Sequence, residues 1–215
     1  MQGATVMVFL DSVVNKIIHQ QALSSQATAC LVAISGIDGS GKGYVTHQLA
    51  ELLAQQKLKI AVINIDGWLN LPAQRFSQTN PAQHFYHHAI RFDELFTQLI
   101  FPLRDRRSLE LAFDYAEETA TAYRKHTYQF EAVDVILLEG IYLLKRGFQA
   151  YYDLSIWLEC SFATALKRAI ARSQEGLSPA ETIAAYQTIY FPAQRLHFER
   201  DQPQQAATAI IPNDG

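Results

Sequence analysis

A glycine-rich stretch early in the chain combines residue types that can hold a phosphate chain. It reads Gly36-Ile37-Asp38-Gly39-Ser40-Gly41-Lys42-Gly43, and its spacing fits the pattern G-x-x-x-x-G-K. Glycines let successive backbone N–H groups turn towards an anion, and the lysine adds a positive charge for the outer phosphates. An apolar, strand-like run precedes the stretch and a helical pattern follows it, which is the context that a phosphate-binding loop requires. An ordinary glycine-rich turn that binds nothing is the alternative interpretation.

The residue after the lysine departs from this pattern. A phosphate-binding loop has Ser or Thr there, and its hydroxyl coordinates Mg²⁺, but this chain has Gly43. A water molecule could replace the hydroxyl at some cost in metal affinity. Ser40 and Thr46 are weaker substitutes, because neither of them directly follows Lys42.

Two acidic residues follow apolar runs that read as buried strands. Asp66 comes after LKIAVINI, and Glu139 ends the run VDVILL. Ligands of open α/β sheets bind beyond the carboxyl ends of the strands, so both carboxylates are placed to reach the same crevice as the glycine-rich stretch. Asp66 could accept a proton from a hydroxyl group or help to hold Mg²⁺, and Glu139 could act near the metal. The alternatives are a turn cap beside Gly67 for Asp66 and a solvent-facing carboxylate for Glu139.

Two arginines and two histidines are each spaced four residues apart, which would place each pair on one face of a helix. Arg168 and Arg172 are four residues apart and share a helix face, from which they could neutralise charge on a transferred phosphoryl group. Surface pairs with Glu159 or Glu175 are the alternative. His84 and His88 could share a metal on a helix, but no third ligand lies nearby, so packed or solvated histidines are expected.

The pattern of apolar residues predicts strands alternating with helices, and hence a largely parallel sheet of about five strands. The predicted strands lie near residues 31–34, 58–65, 133–138, 154–158 and 207–211. The predicted helices cover residues 6–23, the stretch after Lys42, 92–103 and 162–172. A hairpin or lid-like insertion is expected near residues 109–130. Ser178-Pro179-Ala180-Glu181 should open a further helix that ends before Pro192.

Composition excludes several classes of protein. The chain has 215 residues, 49% of them hydrophobic, which can fill the core of one domain spanning residues 1–215. Its net charge of −3 and the lack of a basic block argue against a nucleic-acid partner. No stretch approaches a membrane span, and the N-terminus lacks a signal-peptide pattern, so a cytoplasmic protein is expected. Two distant cysteines, Cys30 and Cys160, should be buried free thiols.

These motifs together resemble the uridine kinase and phosphoribulokinase-like family. The resemblance covers most of the chain after Leu31, and Tyr190-Phe191-Pro192-Ala193 looks like the "YWPAE" stretch of an uncharacterised uridine-kinase-like branch. It implies an α/β fold, a P-loop NTPase-type three-layer sandwich, with ATP and Mg²⁺ as cofactors. It implies a base role for Asp66 and a metal role for Glu139. Asp114-Tyr115 loosely matches an acceptor-side "YDF" segment. The residues implied to bind the nucleotide are Gly36, Asp38, Gly39, Ser40, Gly41, Lys42, Gly43 and Tyr44.

The spacing of apolar residues, before Leu31, and the resemblance, after it, divide the chain into regions. Residues 1–27 form an N-terminal helix and connector, which packs on the core or mediates a homodimer. Residues 71–130 form an acceptor-side region and residues 165–180 a lid-like region, where Arg168 and Arg172 match lid arginines. The family's arginine-glycine-arginine lid tip is absent, and Glu175-Gly176-Leu177-Ser178 stands in its place.

Three functions follow from these observations. The first is an ATP- and magnesium-dependent kinase that phosphorylates a hydroxyl of a small metabolite, such as a nucleoside, a sugar or an organic acid. The second is a nucleotide-binding sensor or pseudokinase. Gly43 and the absence of the family's arginine-glycine-arginine lid tip favour it. The third, a nucleoside monophosphate kinase, would require more arginines around the acceptor phosphate than the sequence offers.

Overall fold

A computed structural model describes residues 2–23, 27–116, 118–172 and 176–214, with side chains from Phe9 onward. Five parallel strands form the main sheet in the order β2-β5-β1-β6-β7, and two antiparallel strands form a separate hairpin. The strands are β1 (Cys30–Gly36), β2 (Ile60–Asn64), β3 (Leu109–Tyr115), β4 (Arg124–Phe130), β5 (Val135–Gly140), β6 (Leu154–Glu159) and β7 (Ala209–Pro212).

The helices lie between these strands and cover both faces of the main sheet. They are α1 (Gln2–Leu23), α2 (Lys42–Gln55), α3 (Pro72–Arg75), α4 (Pro81–His88), α5 (Phe92–Glu94), α6 (Phe101–Arg106), α7 (Phe162–Arg172), α8 (Pro179–Ala185), α9 (Phe191–Asp201) and α10 (Pro203–Ala206). Short 3-10 turns occupy Ile65–Gly67 and Gln149–Tyr151, and π-helical turns occupy Leu95–Ile100 and Tyr186–Tyr190.

The central strand β1 shows how the sheet separates two hydrophobic layers. Leu31 and Ala33 point into a large cluster with the helices α4 to α7 and α9. Cys30, Val32 and Ile34 point into a second cluster with α1 and α2. Successive side chains of a strand face opposite sides, so a strand buried on both faces reads as a continuous apolar run. The predicted α/β three-layer sandwich with a five-strand parallel sheet is confirmed.

The N-terminal helix α1 packs on the sheet. Leu10, Val13, Val14 and Ile17 are at most 8% exposed, and they belong to the same cluster as α2 and β7. The helical spacing of apolar residues therefore identified a core-packing face. The homodimer remains a prediction. No described helix is long and apolar enough to cross a membrane. Both cysteines are buried free thiols, as expected.

The prediction that the helix after Pro179 ends before Pro192 is wrong. Helix α8 passes into the π-helical turn Tyr186–Tyr190 and continues as α9. Pro192 directly follows the π-helical turn, where the regular i→i−4 hydrogen bonding is interrupted, so its missing N–H is tolerated within the continuous helix. The same arrangement occurs at Pro102, which follows the π-helical turn Leu95–Ile100. The N-cap that the sequence predicted is present, since the Ser178 hydroxyl accepts a hydrogen bond from the Glu181 N–H.

Candidate active site

A cleft of about 670 Å³ lies beyond the carboxyl ends of β1, β2 and β5. Its lining consists of two groups of residues. The glycine-rich loop and nearby charged side chains form what we call the loop end, and mainly apolar and aromatic side chains from α3, α4 and the segment 177–194 form what we call the aromatic end. The edge where the carboxyl ends of parallel strands meet is the usual ligand site of open α/β sheets.

The glycine-rich loop has a backbone that other residues could not adopt easily. Gly39 and Gly41 have φ angles of 75° and 91°, in the left-handed region that favours glycine. A Cβ atom on Gly39 would lie 2.6 Å from the Ala165 carbonyl oxygen, so α7 packs directly on the loop. The buried Lys42 side chain donates a hydrogen bond of 3.0 Å from Nζ to the Ile37 carbonyl oxygen. The loop therefore encloses the Lys42 side chain and holds its ammonium group by a hydrogen bond.

The structure divides the eight residues predicted to bind the nucleotide into two groups. Six of them line the cleft, namely Asp38, Gly39, Gly41, Lys42, Gly43 and Tyr44. Gly36 and Ser40 lie behind the loop: a Cβ on Gly36 would lie 2.8 Å from the Ser40 Oγ and 2.9 Å from the Leu158 carbonyl oxygen. These two residues shape the loop without lining the cleft.

Asp66 is held in the cleft by the turn that follows β2. Its backbone N–H donates a 2.7 Å hydrogen bond to the Asn64 Oδ1, within the 3-10 turn Ile65–Gly67. The residue is exposed to solvent, but nearby protein atoms remove part of the water around its carboxyl, and this desolvation raises its pKa. The positive charge of Lys42 opposes this shift, and the negative charge of Asp38 adds to it. A raised pKa makes the carboxylate a stronger base.

Glu139 lies beside Asp66, because β5 pairs with β2 and places Glu139 opposite Asn64. Its side chain is 7% exposed, and burial raises the pKa of the carboxyl to about 7. Lys42 lowers this pKa, whereas Asp66 and Asp38 raise it. Glycine is required next in the chain, since a Cβ on Gly140 would lie 2.1 Å from the Ile65 Cγ1.

The described residues fit a magnesium ion that is shared with a nucleotide. No three acidic, histidine or cysteine side chains among them converge to hold a metal by themselves. Mg²⁺ in kinase sites needs only one or two carboxylates, with water and phosphate oxygens as its other ligands. Burial and, beyond it, repulsion from Asp66 and Asp38 raise the pKa of Glu139, and a cation would relieve that repulsion. Glu139 is therefore the residue that would hold the metal, with Asp66 beside it as the second candidate ligand.

Gly43 faces the cleft and leaves open space beside it. A Cβ at this position would meet no atom within 4 Å. The Ser40 Oγ and Thr46 Oγ1 atoms are buried and have no hydrogen-bond partner among the described residues. Thr46 is 2% exposed and does not line the cleft, so neither hydroxyl stands where the missing one would be.

The two predicted lid arginines lie in different places. Arg172 lines the cleft and forms a 3.6 Å ion pair with Asp38. Arg168 instead lies against the glycine-rich loop, where its Nη1 donates a hydrogen bond of 3.1 Å to the Ser40 carbonyl oxygen. Glu159 contacts Trp157 and Gln204, and Glu175 lies outside the described residues. Charge neutralisation by Arg168 stays a prediction, and Arg172 has the better position for it.

Other predicted features lie outside the cleft. His84 and His88 share one face of α4 with their rings 4.5 Å apart, and the His84 Nε2 is 2.9 Å from the Gln74 carbonyl oxygen. Asp114 pairs with Lys125 across the hairpin at 2.8 Å. The hairpin itself was predicted. Its two strands are paired over their whole length, from the pair Leu109 and Phe130 at one end to the pair Tyr115 and Arg124 at the turn.

Sequence reasoning missed most of the residues at the aromatic end of the cleft. These residues are Leu69, Pro72, Arg75, Phe76, Phe85, Ile141, Tyr142, Leu177, Ile189, Tyr190 and Gln194. Gln194 is 1% exposed, and its Oε1 accepts no hydrogen bond within the described part of the chain. The ring of Tyr190 lies 5.1 Å from that of Phe85. The predicted acceptor-side region 71–130 contains Phe76 and Phe85 without singling them out, and the "YWPAE"-like stretch contains Tyr190 and directly precedes Gln194.

Comparisons with known proteins agree with this geometry. The family model "Phosphoribulokinase / Uridine kinase family" matches residues 31–176. A uridine kinase of Macrococcus caseolyticus is 29% identical over 195 residues, which cover 86% of this chain and 88% of that protein. A uridine kinase of Staphylococcus haemolyticus is 26% identical over 199 residues, covering 88% of this chain and 90% of that protein.

Solved structures share the fold at lower identity. The structure of a possible uridine kinase from Bacillus stearothermophilus has a TM-score of 0.75 and 20% identity, with 95% of this chain and 98% of that chain covered. D-glycerate 3-kinase from Cryptococcus neoformans has a TM-score of 0.63 and 11% identity, with 87% of each chain covered. Since the family model spans well over half of the sequence, the chain belongs to the phosphoribulokinase and uridine kinase family of small-molecule kinases.

Proposed function

We propose that the protein transfers the terminal phosphoryl group of ATP to a hydroxyl of a small metabolite, with Mg²⁺ as cofactor. The observation that carries this proposal is the convergence of Lys42, Asp66, Glu139 and Arg172 on one cleft. ATP supplies the phosphoryl group when it is bound, and Mg²⁺ neutralises charge on the phosphates. Phosphoryl transfer requires mainly positioning and electrostatic stabilisation from the protein.

Each of these residues has a distinct role in the proposal. Lys42 and the loop N–H groups hold the triphosphate, and Glu139 holds the metal. Asp66 orients the acceptor hydroxyl and takes its proton as the hydroxyl oxygen bonds to the terminal phosphorus and ADP leaves. The raised pKa of Asp66 supports this role, because a carboxylate with a higher pKa is a better proton acceptor. Arg172 faces the negative charge of the transferred group.

The aromatic end of the cleft supports an acceptor with a planar or apolar face. Phe76, Phe85 and Tyr190 offer ring surfaces, and the buried Gln194 amide offers a hydrogen-bond acceptor. Relatives of this chain are named uridine kinases, and a nucleoside fits these walls. We therefore propose a nucleoside, with uridine as the first candidate, ahead of a sugar or an organic acid.

The test measures ADP release from ATP and Mg²⁺ across a panel of acceptors. The panel contains uridine, cytidine, pantothenate, glycerate and ribulose 5-phosphate. We expect one nucleoside to stimulate release, and we expect Asp66→Asn to abolish that stimulation while ATP still binds. ATP binding with no transfer to any member would favour a nucleotide sensor, which the absence of a hydroxyl at Gly43 also favours. Failure to bind ATP would contradict both functions.

A further inference from the structure

Tyr186 contacts the glycine-rich loop from a distant part of the chain. Its hydroxyl donates a hydrogen bond to the Asp38 Oδ2, across 148 positions of sequence. The side chain is 2% exposed, and it lies on the π-helical turn that separates α8 from α9. Turns of this type are often found at functional sites, because they displace side chains from regular helical positions.

Aromatic neighbours fix the position of the Tyr186 ring. Tyr190 packs edge-on against it at 5.1 Å, and Phe191 does so at 5.2 Å. Phe191 in turn packs on Phe162 of α7, with ring centroids 4.4 Å apart. The hydroxyl therefore projects from a rigid aromatic group, so it can define where the Asp38 carboxylate lies.

The other oxygen of the same carboxylate contacts Arg172. The Asp38 Oδ1 lies 3.6 Å from the Arg172 Nη2. The Arg172 side chain is 47% exposed, so packing alone does not fix the position of its guanidinium. Its charge lowers the pKa of both Asp66 and Glu139, which places the guanidinium within electrostatic range of both carboxylates. Asp38 thus links a fixed hydroxyl to a loosely packed arginine.

We propose that Tyr186 is a positioning residue, which orients Asp38 so that Asp38 holds Arg172 facing the terminal phosphate of ATP. This inference rests on the proposed function, since it assigns Arg172 to that phosphate. Without the Tyr186 hydroxyl, Asp38 can rotate, and Arg172 loses its fixed partner. Because ADP lacks the terminal phosphate, the loss should weaken the binding of ATP more than that of ADP.

The test measures nucleotide binding, so it needs no known acceptor. Calorimetry gives the ratio of the ADP dissociation constant to that of a non-hydrolysable ATP analogue, with Mg²⁺ present. We compare the wild type, Tyr186→Phe, Arg172→Ala and the double variant. Phenylalanine keeps the ring and removes only the hydroxyl. We expect the wild type to prefer the analogue and Tyr186→Phe to reduce that preference about threefold to tenfold. In the Arg172→Ala background, Tyr186→Phe should have no further effect.

Tyr152→Phe is the matched control. It also removes a buried tyrosine hydroxyl, which donates a 2.9 Å hydrogen bond to the Leu143 carbonyl oxygen and does not line the cleft. We expect its ratio to equal that of the wild type. Melting temperatures of both variants show whether a general loss of stability accompanies either change.

Three outcomes would overturn the inference. An unchanged ratio in Tyr186→Phe would mean that the hydroxyl does not act on the terminal phosphate. An equal reduction with and without Arg172 would mean that Tyr186 does not act through Arg172. In both cases the wild type still prefers the ATP analogue, so the proposed function stands. A wild type that binds neither nucleotide would overturn the proposed function together with this inference.

Discussion

The two ends of the cleft are built in different ways. The loop end uses the backbone of one continuous segment, Gly36 to Gly43, together with Lys42 from the same segment. The aromatic end is assembled from single side chains that lie far apart in the sequence, between Leu69 and Phe85, at Ile141 and Tyr142, and between Leu177 and Gln194. Backbone contacts to phosphates change little when side chains change, whereas acceptor contacts change with each substitution. Loop contacts can therefore be kept while acceptor contacts vary within one fold, which this chain shares with the structures of a possible uridine kinase and of a D-glycerate 3-kinase.

Lys42→Ala should have the largest effect, because it removes the only loop side chain that can pair with the phosphates. We expect ATP binding to weaken and transfer to fall by about 10³-fold or more. Calorimetry with ATP and an ADP-release assay would measure both quantities. Lys59→Ala, at an exposed position beside β2, is the matched control. Activity that survives Lys42→Ala would contradict the assignment of the loop end.

Asp66→Asn should separate binding from transfer. The amide keeps the size of the side chain but cannot take a proton, so we expect ATP to bind normally and transfer to fall by about 10²- to 10⁴-fold. The measurement compares kcat with the dissociation constant for ATP. Asp105→Asn, on the exposed surface of α6, controls for the loss of one negative charge. An equal fall in binding and transfer would show that Asp66 acts through the nucleotide alone.

The contrast between the two ends also explains what the sequence could predict. The loop and its helix were predictable because their signal is local: glycines at fixed spacing, one lysine, and a strand directly before them. Asp66 and Glu139 were predictable because they end apolar strands. Tyr186 and Gln194 carried no such signal, since their positions depend on the π-helical turn and on contacts across the fold. The helix boundary at Pro192 was mispredicted for the same reason.

Gln194→Ala should affect the aromatic end alone. If the acceptor donates a hydrogen bond to the buried Gln194 Oε1, its loss should raise the KM for the acceptor about tenfold and leave the KM for ATP unchanged. Steady-state kinetics with each substrate varied in turn would measure both values. Gln187→Ala, an exposed glutamine on the preceding helical turn, is the control. A rise in the KM for ATP would show that Gln194 belongs to the loop end.

Glu139→Gln should change how stability depends on pH. The pKa of Glu139 is about 7 in the folded protein, because burial raises it above its ordinary value of 4.5. Between these values the unfolded chain has lost the proton and the folded chain still binds it, so stability falls as pH rises through this window. Glutamine mimics the protonated form. Without Mg²⁺, we expect the variant to melt about 5 °C higher than the wild type at pH 8, with the difference vanishing near pH 4.5.

The control for this pH dependence is Glu131→Gln, at an exposed position before β5. We expect its melting temperature to equal that of the wild type at both pH values. Added Mg²⁺ and nucleotide should stabilise the wild type more at pH 8 than at pH 6, because the metal binds the deprotonated carboxylate. A difference between Glu139→Gln and the wild type that is constant across pH would contradict burial of a titrating carboxyl at the loop end.

Gly43→Thr should have the smallest effect of these substitutions, and it tests directly whether the loop end lacks a magnesium ligand. The new side chain enters open space in the cleft, since a Cβ there meets no atom within 4 Å. Its hydroxyl would follow Lys42, where a phosphate-binding loop has its magnesium ligand. We expect the concentration of Mg²⁺ for half-maximal nucleotide binding to fall about threefold to tenfold. Gly147→Thr, where a Cβ also meets nothing, is the matched control. An unchanged requirement for Mg²⁺ would show that Glu139 and water already complete the protein's share of the coordination, and that the absence of the hydroxyl does not weaken metal binding at this loop.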